Sequence, residues 1–373
     1  MILDAEPVEA TLGAPFAGRA LALMYGSRRV CEALGLWPRL APIAEPIHAV
    51  RLEDRGTGAA IVYQAAEIVD HPFGYGIETR ALRRILLELA LERPGIEIVA
   101  PARLVALERS TSGIAAELDD GRRLEAALIV GADGRGSTVR ARAGLDGTLR
   151  AYAQTALTFA LRHARPHEGR VREFLRPAGP LALLPIGEDL SSVTWIEGSD
   201  LARHLLAGPR DVLAAALDER LRGVLGAFEI TGEPAGHPLS IHQARRFVAP
   251  RVALVGDAAH GIHPIHAQGF NLAVRDVASL AEVLAEAAQA GRDLGDAEVL
   301  MRYDRLRRGD ARLTAAMTDG LNSLFSTDLG PARLVRRLGL GALDRVPPLK
   351  HLAMRRGMGL IGELPRLARG ELP

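Results

Sequence analysis

Short apolar runs that end on glycine and aspartate recur along the chain, separated by segments whose apolar residues repeat at helical spacing. In Val252-Ala253-Leu254-Val255 a continuous apolar run suits a buried strand, and Gly256-Asp257 closes it with a turn and a carboxylate. A Gly/Pro/His loop follows, after which Phe270, Leu272, Val277, Leu280 and Leu284 recur at helical rather than strand spacing. The pattern predicts strand, polar loop and helix start. Such a junction offers a ligand an acceptor, on Asp257, and the N–H groups of a helix N-terminus.

The same order occurs twice earlier. Leu128-Ile129-Val130 runs into Gly131-Ala132-Asp133-Gly134, with Ser137 placed to cap the next helix. Met1-Ile2-Leu3-Asp4 reads as the tail of a strand with a carboxylate at its end, before the turn-prone Glu6-Pro7. An acidic residue at a strand end is where dinucleotide-binding units hold a ribose, but the glycine-rich turn expected about 20 residues before it is absent. Asp4 is equally compatible with a surface residue, and Asp133 with a turn that satisfies its own amides.

Between these landmarks, helices are predicted from Ser27 to about Leu34 and from Thr79 along the stripe Leu82, Ile85, Leu86, Leu89. Further helices are predicted over Pro209 to Leu225 and Ala297 to Leu324. Residues 47 to 63 read as a hairpin, and 96–99, 103–109, 113–118 and 124–130 as short strands. From roughly 151 to 248, runs such as Leu157-Thr158-Phe159 and Ser192-Val193-Thr194-Trp195-Ile196 predict an antiparallel sheet. Arg19 and Arg80 stand at element boundaries, where a guanidinium fork suits an anionic or polar cofactor and equally suits plain solvation.

Composition narrows the classes. The 373 residues are 48% hydrophobic and 24% charged, which favours a globular fold of more than one domain over disorder. The net charge of +1 and the lack of a recognition motif argue against a nucleic-acid partner. Cys31 stands alone, so an intrachain disulfide or a cysteine-cluster metal site is excluded. No run of about 18 uncharged apolar residues and no secretory signal pattern is seen, which predicts a cytoplasmic protein. The segment 331–373 mixes leucines with nine Lys or Arg residues, fitting either core packing with a basic face or contact with an anionic inner-membrane surface.

His260, His263 and His266 near Asp257 invite a metal reading, but Gly261 and Pro264 break the helix that would align them, and no metal is expected. A flavin uses more of the pattern. Asp257 suits a ribityl hydroxyl, Pro264 shapes the loop against the rings, and amides around Gln268 and Gly269 can stabilise negative charge near N1 and O2. His263 then needs no role beyond packing the loop.

Taken together, Asp4, Gly18-Arg19-Ala20, the Arg80 helix entrance, Gly131-Ala132-Asp133-Gly134, Gly256-Asp257-Ala258-Ala259-His260, Pro264 and Gln268-Gly269-Phe270-Asn271 resemble the class A flavin-dependent aromatic hydroxylases. Asp319-Gly320-Leu321 and Asp344-Arg345-Val346-Pro347-Pro348-Leu349-Lys350 make the sequence most similar to the branch that hydroxylates polyprenylated phenols in ubiquinone biosynthesis. The resemblance implies an α/β fold: a Rossmann-like FAD-binding domain from residues 1–150 with 249–330, joined by an antiparallel substrate sheet over 151–248 and a helical region over 331–373. Part of 45–80 would belong with the substrate region. It implies that Asp4 holds the adenosine ribose, that Arg19, Arg80, Asp133 and Gly134 help position the extended cofactor, and that Gly256 and Asp257 hold the ribityl chain. Pro264, Ala267, Gln268, Gly269, Phe270 and Asn271 would surround the isoalloxazine, with Pro264, Gln268 and Gly269 nearest the chemistry.

The implied reaction takes hydride from NADPH or NADH, reacts the reduced FAD with dioxygen, and passes oxygen to an electron-rich phenol from a flavin C4a-hydroperoxide. Two departures stand out. Family members carry a strand and a Gly-x-Gly-x-x-Gly turn, a unit of roughly 30 residues, before the segment matching Met1–Asp4. Its absence implies a shortened chain with impaired FAD binding, folding or activity. Where the family has a small residue followed by Gly-Gln-Gly, this chain has His266-Ala267-Gln268-Gly269, and Ala267 puts a Cβ where close ring approach or an unusual backbone angle favours glycine. Alternatives left open are a flavin enzyme acting on another aromatic compound and an inactive partner in a ubiquinone-biosynthesis assembly.

Overall fold

The computed structural model describes residues 1–327 and 330–373. Its fold is mixed α/β and is organised by an eight-stranded sheet. The long strands Gly147–His163 and Phe228–Ala244 pair antiparallel, and Leu190–Gly198, Leu181–Gly187 and Arg170–Leu175 extend the sheet. The hairpin Ala49–Asp54 and Ala60–Gln64, predicted over 47 to 63, joins Arg170–Leu175 through a parallel pairing. One face of this sheet is sealed by helices Ser199–Ala207 and Arg210–Leu221, whose Leu205, Leu213 and Leu217 pack on Trp195 and Phe159. The other face is left for the rest of the molecule.

Around residue 252 the predicted junction is realised. Val252–Leu254 is fully buried and pairs parallel with Ile129–Gly131. Helix Gly269–Gln289 covers it through Leu272, Leu280 and Val283, and helix Ala297–Phe325 adds Leu300 and Tyr303 to the same core. Of the stripe read from the sequence, Leu272, Leu280 and Leu284 meet this core, whereas Val277 is exposed and Phe270 packs in another cluster.

One expectation about strands is corrected. The run 124–130 is not one strand: Arg123–Ala126 closes an antiparallel sheet with Ile114–Leu118, whereas Ile129–Gly131 leaves it to pair with Val252–Leu254. Each half finds a different backbone partner, so a run that reads as one strand is cut by tertiary pairing. The N-terminal strand lies in a separate sheet. Ile2–Leu3 pairs parallel with Ile98–Val99, and no strand among the described residues joins this pair to Ile129–Gly131.

The segment 331–373 is built into the body. Met354 and Met358 pack with Ile47 and Phe73, Leu340 packs with Leu52 and Ile265, and Leu367 packs with Val30.

Candidate active site

Gly256 adopts φ +58, and a Cβ there would stand 3.0 Å from the Ala273 side chain, so the turn into Asp257 needs glycine. The Asp257 side chain stays partly exposed and accepts a hydrogen bond from Arg135 Nε at 2.9 Å. Beyond it, His260–Gly261 joins the edge of the large sheet by pairing with His242 and Gln243, which fastens the loop to the second layer. The chain then turns at Pro264 and enters helix Gly269–Gln289, whose N-cap Gln268 makes no side-chain cap bond. The first-turn N–H groups therefore lack a side-chain acceptor.

Backbone angles single out the loop. His266 and Ala267 both lie in the left-handed region, at φ +62 and φ +52. The unusual angle expected at Ala267 is present, in a residue that carries a Cβ. Ala267→Gly is expected to raise stability by about 1 kcal/mol, because the left-handed conformation costs an L residue roughly that much. Thermal unfolding of the two proteins checks it, and an unchanged or lower midpoint would show that the angle carries no strain.

The sequence candidates divide by what they touch. Asn271 is buried and makes structural bonds: its Nδ2 donates to Ala22 O at 2.8 Å and Ala267 O at 3.1 Å, and its Oδ1 accepts from Met24 N at 2.9 Å. It fixes the helix start against strand Ala20–Met24, and Phe270 packs beside it in a cluster with Leu23 and Ile77. Gln268 Nε2 donates to His266 O and to Gly357 O, tying the loop to the C-terminal helices. Gly269 opens the helix with room around its Cα.

Asp133 accepts from Ser137 Oγ at 2.5 Å and Val139 N at 3.1 Å, so both oxygens shape the turn that contains Gly134 at φ +77. Ser137 caps the helix as expected, through Arg140 N at 2.9 Å. Arg19 is exposed, its side chain makes no hydrogen bond among the described residues, and its carbonyl accepts from Thr79 N, which sets it beside Arg80. Arg80 donates to Pro15 O at 2.8 Å. Asp4 is exposed and accepts from Glu6 N at 2.9 Å; among the described residues no hydrogen bond links it to the other candidates.

Residues that single-sequence reading passed over hold these pieces together. Arg135 bonds Asp257, Ser240 O and Ile262 O, and Arg140 bonds Ala258 O and Arg135 O, so two guanidinium groups lock the two aspartate turns to each other and to the sheet. Beneath them Asp276 accepts from Gly256 N at 3.0 Å, His260 Nε2 at 2.5 Å and Arg307 Nε at 2.8 Å. The arginines of Gly131–Arg142 were the available signal, since a guanidinium between two acidic turns is suited to bridging them.

The three histidines of the loop face different partners rather than a common point. His260 pairs with Asp276, His266 Nδ1 lies 3.0 Å from Glu173, and His263 is buried edge-on to Tyr152 with ring centroids 5.2 Å apart. Burial pushes His263 down to about 4, so it stays neutral and packs the loop.

The residues fit one end of FAD on this geometry: a partly exposed carboxylate at Asp257, a glycine cradle behind it and an uncapped helix start beyond Pro264. Asp257→Ala is expected to weaken FAD retention about tenfold or more, since one hydrogen bond to a charged acceptor is worth about 1.5–3 kcal/mol. Equilibrium dialysis against FAD reads the change, and an unaltered affinity in a folded variant would remove Asp257 from the site.

Such a site, on such a fold, is that of an FAD-dependent monooxygenase. Residues 6–317 match the FAD binding domain family, and the chain belongs to it. Among its relatives, the ubiquinone hydroxylase UbiL of Rhodospirillum rubrum is 42% identical over 99% of this chain and 87% of its own length. The 3-demethoxyubiquinol 3-hydroxylase of Escherichia coli K12 is 31% identical over 96% of this chain and 92% of its own. In structure, Pseudomonas aeruginosa PqsL in complex with 2-aminobenzoylacetate superposes with a TM-score of 0.75 at 26% identity, covering 91% of each chain. The p-nitrophenol 4-monooxygenase PnpA of Pseudomonas putida shares the fold, with a TM-score of 0.78 at 18% identity over 97% of this chain and 98% of that one.

Proposed function

We propose that the protein hydroxylates the aromatic ring of a polyprenylated phenol in ubiquinone biosynthesis, with FAD, NADPH or NADH, and dioxygen. The observation that carries this reading is the near full-length similarity to the ubiquinone hydroxylase of Rhodospirillum rubrum, in a chain whose Gly256–Asn271 loop has the geometry described above. FAD supplies hydride acceptance and oxygen activation when bound. The chain's residues do the holding: Asp257 and the helix start orient the cofactor, and the loop presses Ile265 into a cluster with Leu52, Ile61, Leu175 and Phe325. Apolar walls of this kind suit a prenylated ring and keep water from the reacting centre.

The test supplies the FAD-loaded protein with a short-chain polyprenylated phenol, NADPH or NADH and ¹⁸O-labelled dioxygen. A product carrying one labelled oxygen is the expected result. Nicotinamide oxidation with no labelled product from any aromatic compound would overturn the reading.

The surface of helices Gly330–Arg345 and Pro347–Gly357 exposes Leu334, Val335, Leu338, Leu349 and Leu352. Among the described residues no helix is long and apolar enough to cross a membrane. We assign this leucine surface, set among basic residues, to peripheral contact with an anionic bilayer, the source of a prenylated substrate. Deleting 331–373 would strip Met354, Met358 and Leu340 from the core, so the informative variant is Leu334→Gln with Leu338→Gln and Leu352→Gln. Its binding to vesicles containing anionic lipid is expected to fall about tenfold or more, as three exposed leucines lose their apolar contact with the bilayer. Equal binding would end the membrane assignment.

A further inference from the structure

Glu173 is a buried carboxylate whose neighbours across the sheet, Leu52 and Ala182, are apolar. It lies on strand Arg170–Leu175 between Val171 and Leu175, which pack into the clusters that contain Phe73 and Ile265. Its side chain is 6% exposed, and among the described residues its only hydrogen bond is to His266 Nδ1 at 3.0 Å. A buried carboxylate is costly unless it is paired, so the contact fixes the imidazole as firmly as the imidazole satisfies the carboxylate. His266 itself keeps 30% of its side chain exposed, and its Nε2 makes no hydrogen bond among the described residues. It projects from the left-handed turn between Pro264 and Gln268, the stretch that meets the flavin.

We propose that His266, oriented by Glu173, is the general base that takes the phenolic proton of the aromatic substrate. This rests on the hydroxylase reading above. Nδ1–H donates to Glu173, which leaves the Nε2 lone pair directed away from the carboxylate and available. In the step, the phenol O–H bond breaks, its electron pair stays on oxygen as phenolate, and the proton moves to Nε2. The ring becomes richer in electrons before it receives oxygen, and the hydrogen bond to Glu173 stabilises the imidazolium.

The other charged or titratable groups around the loop do not compete for this role. His263 is held neutral by burial, Asp319 of helix Ala297–Phe325 accepts from Tyr152 Oη at 2.7 Å, and Arg135 is committed to Asp257. Burial alone would lower His266, but the charge and hydrogen bond of Glu173 outweigh it and hold the imidazole above its usual value. Base catalysis therefore operates above that raised value and is lost as pH falls through it.

The experiment compares the FAD-loaded parent, His266→Asn and Glu173→Gln on two short-chain polyprenylated phenols, one with an ordinary hydroxyl and one bearing a ring nitro group that ionises it below the assay pH. Asn tolerates the left-handed conformation, so the loop is retained in the first variant. With the ordinary phenol, His266→Asn is expected to lower kcat/KM for labelled-oxygen insertion by about 10²-fold or more. With the pre-ionised phenol the deficit should shrink to a few fold. Glu173→Gln should move the acidic limb of the parent's kcat/KM profile to lower pH, and this arm decides if His266→Asn does not fold. An equal deficit on both phenols, or a profile that Glu173→Gln does not move, would overturn the proposal. Absence of oxygen insertion by the parent with both phenols would overturn the hydroxylase reading and this proposal together, whereas insertion with unmoved profiles would overturn this proposal alone.

Discussion

Asp276→Ala is expected to cost roughly 3–5 kcal/mol of stability, the usual penalty for removing one partner of a buried ion pair, and to release FAD with it. Asp276 has no solvent exposure, and Arg307, which it pairs through Nε at 2.8 Å, keeps only 5%. The substitution leaves that guanidinium buried with Asp310 as its remaining carboxylate, at 2.9 Å. It also strands His260 Nε2 and the Gly256 N–H, whose acceptor is Asp276 Oδ2. Gly256 directly precedes Asp257, so loss of the brace loosens the turn that carries the carboxylate proposed to hold FAD.

The sign of the pH dependence follows from the same contacts. Burial alone would raise the Asp276 carboxyl, but His260 and Arg307 outweigh it and hold it below the ordinary carboxylate range. A depressed folded value means that the contribution is complete above the unfolded value of about 3.9 and is lost as pH falls through the folded one. Urea titrations of both proteins at pH 7 and at pH 3.5, with FAD retention measured alongside, test this. The gap between parent and variant should narrow in acid. A variant within about 1 kcal/mol of the parent at pH 7 would show that Asp276 is not the brace, given the 3–5 kcal/mol expected of a broken buried pair.

Legibility in the sequence followed the range of the interactions. Val252–Leu254 and the helices after it were readable because their burial is written as local periodicity: Leu272, Leu280 and Leu284 face the core around the strand that the same sequence window contains. Ser137 was readable as a cap because its partner, Arg140 N, lies three residues on. Ala267 was readable as a position of unusual backbone through the resemblance, which set a glycine pattern against a residue with a Cβ.

What was hidden depends on partners far apart in the chain. Asp276 looks like an ordinary helix carboxylate until Arg307 of the next helix and His260 of the preceding loop converge on it. The Glu173–His266 pair spans 93 positions and two elements, and no period of either element announces it. The division of 124–130 was hidden for a related reason: alternation reports which face is apolar, whereas the choice of backbone partner is made by the fold. The side-chain bonds of Asn271 that brace helix against strand were hidden in the same way, because their partners lie 249 and 247 positions away.

The second large effect is expected far from the flavin loop in sequence. Asp54 ends the first strand of the hairpin, and its carboxylate accepts from Gly56 N at 2.9 Å, Thr57 Oγ1 at 2.7 Å and Arg336 Nε at 3.1 Å. Asp54 and Arg336 are both almost wholly buried, and Arg336 also donates to Leu324 O and Thr327 O. This ion pair thus fastens the eight-stranded sheet to helix Gly330–Arg345 and to the end of helix Ala297–Phe325. Asp54→Ala is expected to cost about 3 kcal/mol through the loss of a buried pairing together with both turn bonds, whereas Asp54→Asn, which keeps the turn bonds, should cost less. The consequence for function follows from Leu340, which packs with Ile265 of the loop, and from Gly357 O, which accepts from Gln268. Loosening these helices should admit water beside the flavin, so Asp54→Ala is expected to consume more nicotinamide per labelled product and to exchange amide hydrogens faster over 330–357. Parent-like exchange there, with coupling intact, would mean that the C-terminal helices are held by their apolar contacts and that the ion pair only completes the turn.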